Sequence, residues 1–380
     1  MHLYIAIPAL DELEFLPQTF AAIAQQKTEF PFSVYVCVNQ PDEWWNDAEK
    51  VEICQNNHKL LNILNSFNFN VFNNSLTIID KSSQGKGWRK NNAGVGWARK
   101  TLFEEILKTA NNEDVIISLD ADTLFQETYF QSIGENFSKN KIDVISVPYY
   151  HKLTEDDHIN CAILRYEIYL RNYFINMHRI GSPYTFTAIG SAIALKVKAL
   201  CKIRNITPLS SGEDFYLLQK LRKMTPISNY NSELVYPAAR FSTRVLFGTG
   251  PAMIKGSSGN WNNYPIYHHT LFDTIKETYD IIPELFTEDI ETEFIDFLKT
   301  QYKTNDLWGP LRKNFKTLPQ FVRAFHEKAD GLRILQFLKA KHQATKEELQ
   351  VASNELMDTR DRLFEIEMGL RKFHSGTFLK

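Results

Sequence analysis

The chain is poor in the features that would place it in several large protein classes. Its 380 residues include four cysteines, Cys37, Cys54, Cys161 and Cys201, and no two of them form a Cys-x-x-Cys pair. That scatter excludes a zinc-ribbon or disulfide framework and fits a reducing compartment. No apolar run approaches the ~20 residues that a membrane span needs. The first residues, Met-His-Leu-Tyr-Ile-Ala-Ile-Pro, enter a strand pattern directly, without the basic region or cleavage site of a signal peptide. A cytoplasmic location is expected, and peripheral contact with the inner face of a membrane is compatible with it. Excess charge of either sign is also missing. The formal net charge is -2 and the pI about 6.6, so no global basic field exists to hold nucleic acid.

Apolar residues are plentiful. At 43% hydrophobic and 23% charged, the chain can build the core of one large domain with an appendage, or of two domains, and wholesale disorder is excluded. Strand and helix patterns alternate through the first half. Short apolar strands are predicted at 3–8, 32–38, 76–80 and 115–119. Helical spacing is predicted at 11–26 (Leu13, Leu16, Phe20, Ile23, Ala24), 48–65 (Val51, Leu60, Leu61, Leu64) and 94–108. This order predicts an α/β fold with a mostly parallel central sheet and helices on both faces. Further on, the patterns predict strands at 143–148 and 186–195 and helices at 159–177 and 214–223. A Gly-, Ser-, Asn- and Pro-rich loop is predicted at 240–265, and mainly helix over 270–330. In the tail, Leu349, Ala352, Leu356, Thr359, Leu363, Ile366 and Leu370 follow a heptad seam. That seam reads either as a self-associating coiled coil through 349–370 or as an amphipathic helix lying on its own domain.

The chemistry-bearing residues cluster at strand ends. Asp120-Ala121-Asp122 closes the strongest strand pattern, and open α/β sheets bind ligands at that carboxyl edge. Two hard oxygen ligands there suit a divalent cation accompanied by phosphate. The first strand ends Pro8-Ala9-Leu10-Asp11-Glu12, where the acids either cap the next helix or sit at the rim beside a nucleotide. Asp80 ends the third strand. It leads into Lys81 to Gly94, a basic glycine loop containing Lys86, Asn92 and Gly94 that suits close approach to phosphate. The loop is neither a Walker loop nor a dinucleotide fingerprint, because Arg99 and Lys90 stand where small residues are required. Glu213-Asp214 precedes a helix and reads either as a capping pair or as a general base. Arg240 and Arg244, followed by the loop 247–250, suit a diphosphate clamp. His268-His269 could supply a metal ligand, although a surface or core histidine is the commoner occurrence.

Taken in order over residues 3 to 250, these motifs resemble a family 2 glycosyltransferase of the GT-A fold. The resemblance rests on 7–12, Gly85-Lys86-Gly87 through Gly94, Asp120-Ala121-Asp122, Gly190-Ser191 and Glu213-Asp214. It implies a nucleoside-diphosphate sugar as donor and a divalent cation, Mg2+ or Mn2+, held by Asp122 with Asp120 nearby and His268 a candidate further ligand. Pro8, Ala9, Asp11, Glu12, Asp80, Lys86, Asn92, Ala121, Arg240 and Arg244 would line the donor. Asp214, with Glu213 beside it, would deprotonate an acceptor hydroxyl of a glycan or lipid-linked precursor, giving hexosyl transfer with inversion. The implied organisation is a catalytic domain at 1–265, a helical extension at 266–330 and a C-terminal helix at 331–380. The pattern departs from the family at Asp11, where Asn is usual, at Asn39-Gln40, where an acid commonly meets the base, and at Val245, where processive members carry Trp. Two other readings compete. A sugar-phosphate nucleotidyltransferase wants a glycine-rich loop after the first strand, which Ala9 to Leu13 lacks. A non-catalytic nucleotide-sugar binder or scaffold would leave Asp122 and Asp214 dispensable.

Overall fold

A computed structural model of the chain describes residues 1–66, 75–89, 92–244, 248–342 and 353–372. Its strands are β1 (Leu3–Ala9), β2 (Phe32–Asn39), β3 (Leu76–Lys81), β4 (Val115–Ser118), β5 (Thr123–Phe125), β6 (Val144–Ser146), β7 (Ile193–Lys196), β8 (Ser228–Asn229) and β9 (Val235–Pro237). Seven of them form one sheet in the order β3-β2-β1-β4-β7-β6-β8, and β5 pairs with β9 in a separate ribbon. Neighbours are parallel from β3 to β4, whereas β7 runs antiparallel to both β4 and β6. The expected mostly parallel α/β sheet is therefore present, followed by a helical C-terminal region.

The central strands explain why. Every residue of β1 and β4 is buried, as in a sheet covered on both faces. Pro8 is tolerated inside β1 because the ladder to β4 ends at Ala6, so the missing N–H lies beyond it. Strand order reverses between β1 and β4. β2 and β3 lie to one side and β4 to the other, which opens a crevice at the carboxyl ends of β1 and β4.

Contacts divide the chain into two compact units. One comprises Met1–Ile163 and Ala188–Ser258, and the other Leu164–Thr187 and Gly259–Lys380. The first contains the whole sheet and the β5-β9 ribbon. The second is helical, with Phe272, Ile275, Phe294, Leu298, Phe325 and Phe337 in its core.

Three local expectations change. The first helix is shorter than predicted, Leu16–Ala24, and begins at Leu16 with Pro17 in its first turn rather than at an acid. The segment 240–265, expected as loop, contains helix Thr249–Ser257. Pro251 falls in its first turn, where a missing N–H costs nothing, and a Cβ on Gly250 would come within 2.6 Å of the Ser242 carbonyl oxygen. Here glycine marks close packing rather than a loop. In the tail, helix Ser353–Lys372 buries only Leu356 among the described residues of its heptad seam. Ile366 is 43% exposed, whereas Arg360, Glu367 and Arg371 are buried. Glu367 accepts from Arg171 Nη1 at 2.7 Å and from Arg371 Nε at 2.9 Å, and Arg171 also donates to Glu167 at 2.9 Å. The helix lies on its own unit through buried charge, and the seam residues Leu349 and Ala352 fall outside the described residues.

Candidate active site

The site is built where β4 runs out. Its last residue, Ser118, is followed by Leu119 and the acid triplet, and the triplet's third residue leads directly into β5. Asp122 is fixed from two sides. Its carbonyl accepts from Ala238 N at 3.1 Å, just beyond β9, while the Ala121 carbonyl accepts from buried Thr19 Oγ1 at 2.8 Å. The β5-β9 pairing therefore carries Arg240 to Asp122.

Two arginine-centred clusters result. In the first, Arg240 donates from Nε and Nη2 to Asp122 Oδ2, at 3.0 and 2.5 Å, and from Nη2 to both Glu12 oxygens at 2.7 and 2.8 Å. Its guanidinium stacks on Phe15 at 3.9 Å. Arg244 joins through Nη1, which donates to Glu12 Oε1 and, at 3.0 Å, to the Leu10 carbonyl. Glu12 is 4% exposed and caps no helix; it is the shared counter-ion of both arginines. Asp11 adopts a left-handed backbone, φ 56°, which an Asp tolerates, and its Oδ1 accepts from Asn56 at 3.0 Å. Burial lowers the Arg244 pKa to about 10, against the charge of Asp11, so the group is still a cation at neutral pH. Burial also pushes the Asp122 carboxyl above the ordinary range; Arg240 opposes this most, the Asp120 charge adds to it, and the nearby buried His151 opposes it to a smaller degree.

The second cluster is centred on Arg99, which is 2% exposed. Its Nε donates to Glu213 Oε1 at 2.8 Å and its Nη1 to the Gly190 carbonyl at 3.1 Å. Nη1 also meets Ser118 Oγ, and Nη2 meets Asp120 Oδ1. Burial works against the Arg99 charge, but Asp120, Glu213 and Asp214 outweigh it and hold its pKa above the ordinary arginine value. Glu213 and Asp214 open helix Glu213–Met224, whose N-cap is left-handed Gly212. Neither acid caps the helix with its side chain. Burial raises both carboxyls above the usual range, and the Glu213 charge lifts Asp214 to about 7.

Gly87, Gly94 and Gly96, in and just after the basic loop, pack closely against neighbouring backbone. A Cβ on Gly96 would come within 2.6 Å of Leu209 N, and one on Gly94 within 2.9 Å of Ser210 O. Gly96 N also donates to Leu209 O at 3.1 Å. These glycines let helix Val95–Ile106 close against the segment that leads into Glu213. Gly87 likewise lies against the Gln40–Asp42 backbone. Asp80 is committed to the turn: its Oδ1 accepts from Ser82 N and Ser83 N at 3.0 and 2.9 Å, and its Oδ2 from Lys86 Nζ at 2.9 Å. Although burial opposes it, these donors hold the Asp80 carboxyl well below the usual range. Asn92 is exposed, with its N donating to the Arg89 carbonyl, while Lys90 lies outside the described residues. Pro8 and Ala9 lie in β1, and the Ala9 carbonyl accepts from buried Asn39 Nδ2 at 2.9 Å. His268 belongs to the helical unit, where its Nδ1 lies 2.9 Å from Thr270 Oγ1. Val245 and most of the loop 245–248 fall outside the described residues.

Sequence reasoning missed two residues. Arg99 entered only as an obstacle to a fingerprint. The signal was available, because it is a charge on the apolar stripe Ala98, Leu102, Phe103 and Ile106 of its helix. His151 carried no sequence signal, because its place depends on the β6-to-β9 geometry: Tyr150 N donates to Val235 O at 3.0 Å.

The acid pair is compatible with a divalent cation. Among the described residues, Asp120 Oδ2 and Asp122 Oδ1 have no hydrogen-bond partner. Five carboxylates (Glu12, Asp120, Asp122, Glu213 and Asp214) face three arginines, an excess of two negative charges when all are ionised. No described group of three His, Cys, Asp or Glu side chains forms a complete cage. That suits a cation bound by one or two carboxylates together with substrate phosphates.

No family model matches the chain, and no curated protein matches its sequence. Its structure is similar along nearly its whole length to solved structures of low identity. One is TarS 1-349 of S. aureus in complex with UDP-GlcNAc, 13% identical, covering 98% of this chain and 91% of that one with a TM-score of 0.44. Another is the same TarS fragment in complex with UDP, 12% identical, covering 100% and 93% with a TM-score of 0.41. A third is the mannosyltransferase PcManGT from Pyrobaculum calidifontis in complex with GDP-Man and Mn2+, 12% identical, covering 97% and 84% with a TM-score of 0.35. Among the described residues, no helix is long and apolar enough to cross a membrane.

Proposed function

We propose that the protein is a glycosyltransferase that moves a hexosyl group from a nucleoside-diphosphate sugar to an acceptor hydroxyl, with inversion. The observation that carries this reading is the convergence of two acid pairs, Asp120/Asp122 and Glu213/Asp214, beside an arginine pair at the switch point of a parallel sheet. The arrangement separates two jobs. On one side, Arg240 and Arg244 are fixed by Glu12, and Arg240 Nη1 has no partner among the described residues, leaving donors for a diphosphate. On the other, Asp214 is a carboxyl near neutrality, where a general base works best.

In this reading Asp214 accepts the proton of the attacking hydroxyl while the sugar leaves as nucleoside diphosphate. Charge growing on the leaving phosphate is met by Arg240 and Arg244. Asp122, with Asp120 beside it, would hold a divalent cation, which supplies further neutralisation of the diphosphate when bound. The acceptor would be a glycan or lipid-linked precursor reached in the cytoplasm.

The test is a thermal-shift and calorimetric panel of nucleoside diphosphates and nucleotide sugars, with and without Mn2+. One nucleotide should give a clear, cation-enhanced shift. Asp214→Asn should retain that nucleotide while transfer falls by about 10²–10⁴-fold. If no nucleotide binds, or if the asparagine variant transfers at the wild-type rate, the reading is wrong.

A further inference from the structure

The mechanism above leaves Arg99 without a stated role, although it is buried and its guanidinium meets three separate chain segments, 118–120, Gly190 and Glu213. Nε holds Glu213 at the start of a helix, and Nη2 holds Asp120 after β4. Nη1 is anchored on Ser118 and on the Gly190 carbonyl. The side chain enters from helix Val95–Ile106, whose start is pressed onto Leu209 and Ser210 by Gly94 and Gly96. Gly190 lacks a side chain where the guanidinium passes: a Cβ there would collide with Arg99 Nη2 and sit 3.3 Å from Asp120 Oδ1.

We infer that Arg99 is a positioning residue that locks the donor-side Asp120 and the acceptor-side Glu213-Asp214 pair into one rigid unit, with Glu213 committed as its counter-ion and Asp214 left as the base. This rests on the proposed glycosyl transfer and divides the roles within that site. Three features support it. An ordinary structural ion pair needs one carboxylate, whereas this guanidinium spans two, from the two halves of the catalytic unit. Its anchors fix it independently of either acid, since Ser118 is the last residue of a central strand and Gly190 lies just before the neighbouring strand β7. The planar fork also gives directions that a lysine ammonium cannot reproduce.

Glu213 cannot readily serve as base while its Oε1 accepts from Arg99, because taking up a proton would break a buried ion pair. Among the described residues, no hydrogen bond or ion pair joins Asp214 to the guanidinium. Its Oδ1 accepts from Phe215 N at 2.7 Å, which orients the carboxyl without neutralising it.

Gly190→Ala tests this without removing the arginine, because the added methyl displaces the guanidinium from its seat. The full-length variant is compared with wild type for nucleoside-diphosphate affinity by calorimetry and for transfer kinetics across pH. Arg99→Lys and the double variant are run in parallel. Gly190→Ala should lower kcat about a hundredfold and change nucleotide affinity much less. It should move the acid limb of the pH profile upward by about one unit, because the cation that favours ionisation has moved away. Arg99→Lys, which keeps a cation but loses the planar fork, should lower kcat in the same way with a smaller limb shift, and the double variant should be no worse than the poorer single one. The inference is overturned if Gly190→Ala keeps wild-type kcat and pH profile, if nucleotide affinity and kcat fall together with the limb unmoved, or if the two substitutions add independently. Should Gly190→Ala not fold, Arg99→Lys alone decides: a kcat that falls while nucleotide affinity holds supports the inference, and a wild-type kcat, or kcat and affinity falling together, overturns it. A wild-type protein that binds no nucleotide would instead sink the functional reading on which this rests.

Discussion

Replacing Arg240 with methionine should tighten the binding of a bare divalent cation while weakening that of the nucleotide. Arg240 directs both Nε and Nη2 at one oxygen of Asp122. Arg244 Nη2 lies further off, 3.8 Å from that oxygen. Glu12, by contrast, keeps Arg244 Nη1 as a direct partner. Arg240→Met therefore frees Asp122 more than Glu12 and keeps the apolar stem against Phe15. Breaking a buried ion pair costs ~3–5 kcal/mol. The side chains here are 16% and 13% exposed, so the lower end applies, a loss of about 3 kcal/mol in folding stability.

That loss sets what a cation gains. In the wild-type chain, an ion that approaches Asp122 must compete with a charge-assisted hydrogen bond of ~1.5–3 kcal/mol. In the variant it meets a carboxylate with no such partner. A gain of ~1.5 kcal/mol corresponds to about tenfold tighter binding. The assay is Mn2+ titration without nucleotide, followed by calorimetry or by electron paramagnetic resonance of the free ion. Nucleoside-diphosphate affinity, measured on the same samples, should fall by at least a similar factor because Arg240 Nη1 is gone. Arg240→Lys should fall between wild type and Met in both. An Mn2+ affinity equal to or weaker than wild type would refute the competition between Arg240 and the cation at Asp122.

Other consequences are as direct. Asp214, lifted to about 7 by burial and the Glu213 charge, must be ionised to act, so kcat should rise about tenfold from pH 6 to pH 8 in a pH-rate profile, and a flat profile would exclude it as base. The same raised carboxyl means that the folded chain holds a proton that the unfolded chain has released, so its effect on stability is unfavourable as pH rises from about 4 through about 7. Glu367→Gln removes the charge that faces both Arg171 and Arg371 in the helical unit and should cost ~3–5 kcal/mol, read as a lower urea midpoint. An unchanged midpoint would mean that the ion cluster does not hold helix Ser353–Lys372. Gly96→Ala places a methyl against rigid Leu209 backbone and should cost ~1–3 kcal/mol while lowering turnover, measured by thermal melting and the transfer assay together.

Much of the sheet was legible because its signal is local. Strands 3–8, 32–38, 76–80 and 115–119 are short apolar runs punctuated by helical spacing, and each corresponds to a strand within a few residues. The helix at 249–257 was not, because its glycines read as loop punctuation. Gly250 is there for close packing against Ser242, and composition cannot separate that use from a turn. The tail shows the opposite failure. Its heptad of apolar residues is a strong sequence signal, yet the buried stripe of helix Ser353–Lys372 includes Arg360, Glu367 and Arg371. Those charges are buried because Arg171 and Glu167, some two hundred residues upstream, complement them, and no local pattern records a partner at that distance.

The same limit explains the site. A strand end announces Asp120 and Asp122, and a helix start Glu213 and Asp214, so these acids could be named individually. What the sequence could not show is that the arginines meet those acids directly. Arg240 and Arg244 read as a clamp for a ligand, and in the structure each already holds Glu12. As the diphosphate clamp we propose, such a pair would be preorganised, because Glu12 fixes the guanidinium planes in advance and less side-chain entropy is then lost on binding. It is also restrained, because every phosphate contact that draws Arg240 from Asp122 exposes a carboxylate that needs another cation. Donor and divalent ion should therefore bind with mutual assistance, each supplying the charge that the other unbalances. In calorimetric terms, the affinity of the nucleotide with Mn2+ present should exceed its affinity alone by the same factor that nucleotide adds to Mn2+. Independent affinities would mean that Arg240 stays on Asp122 throughout, and that the acid triplet is a structural anchor for the arginine rather than a seat for the ion.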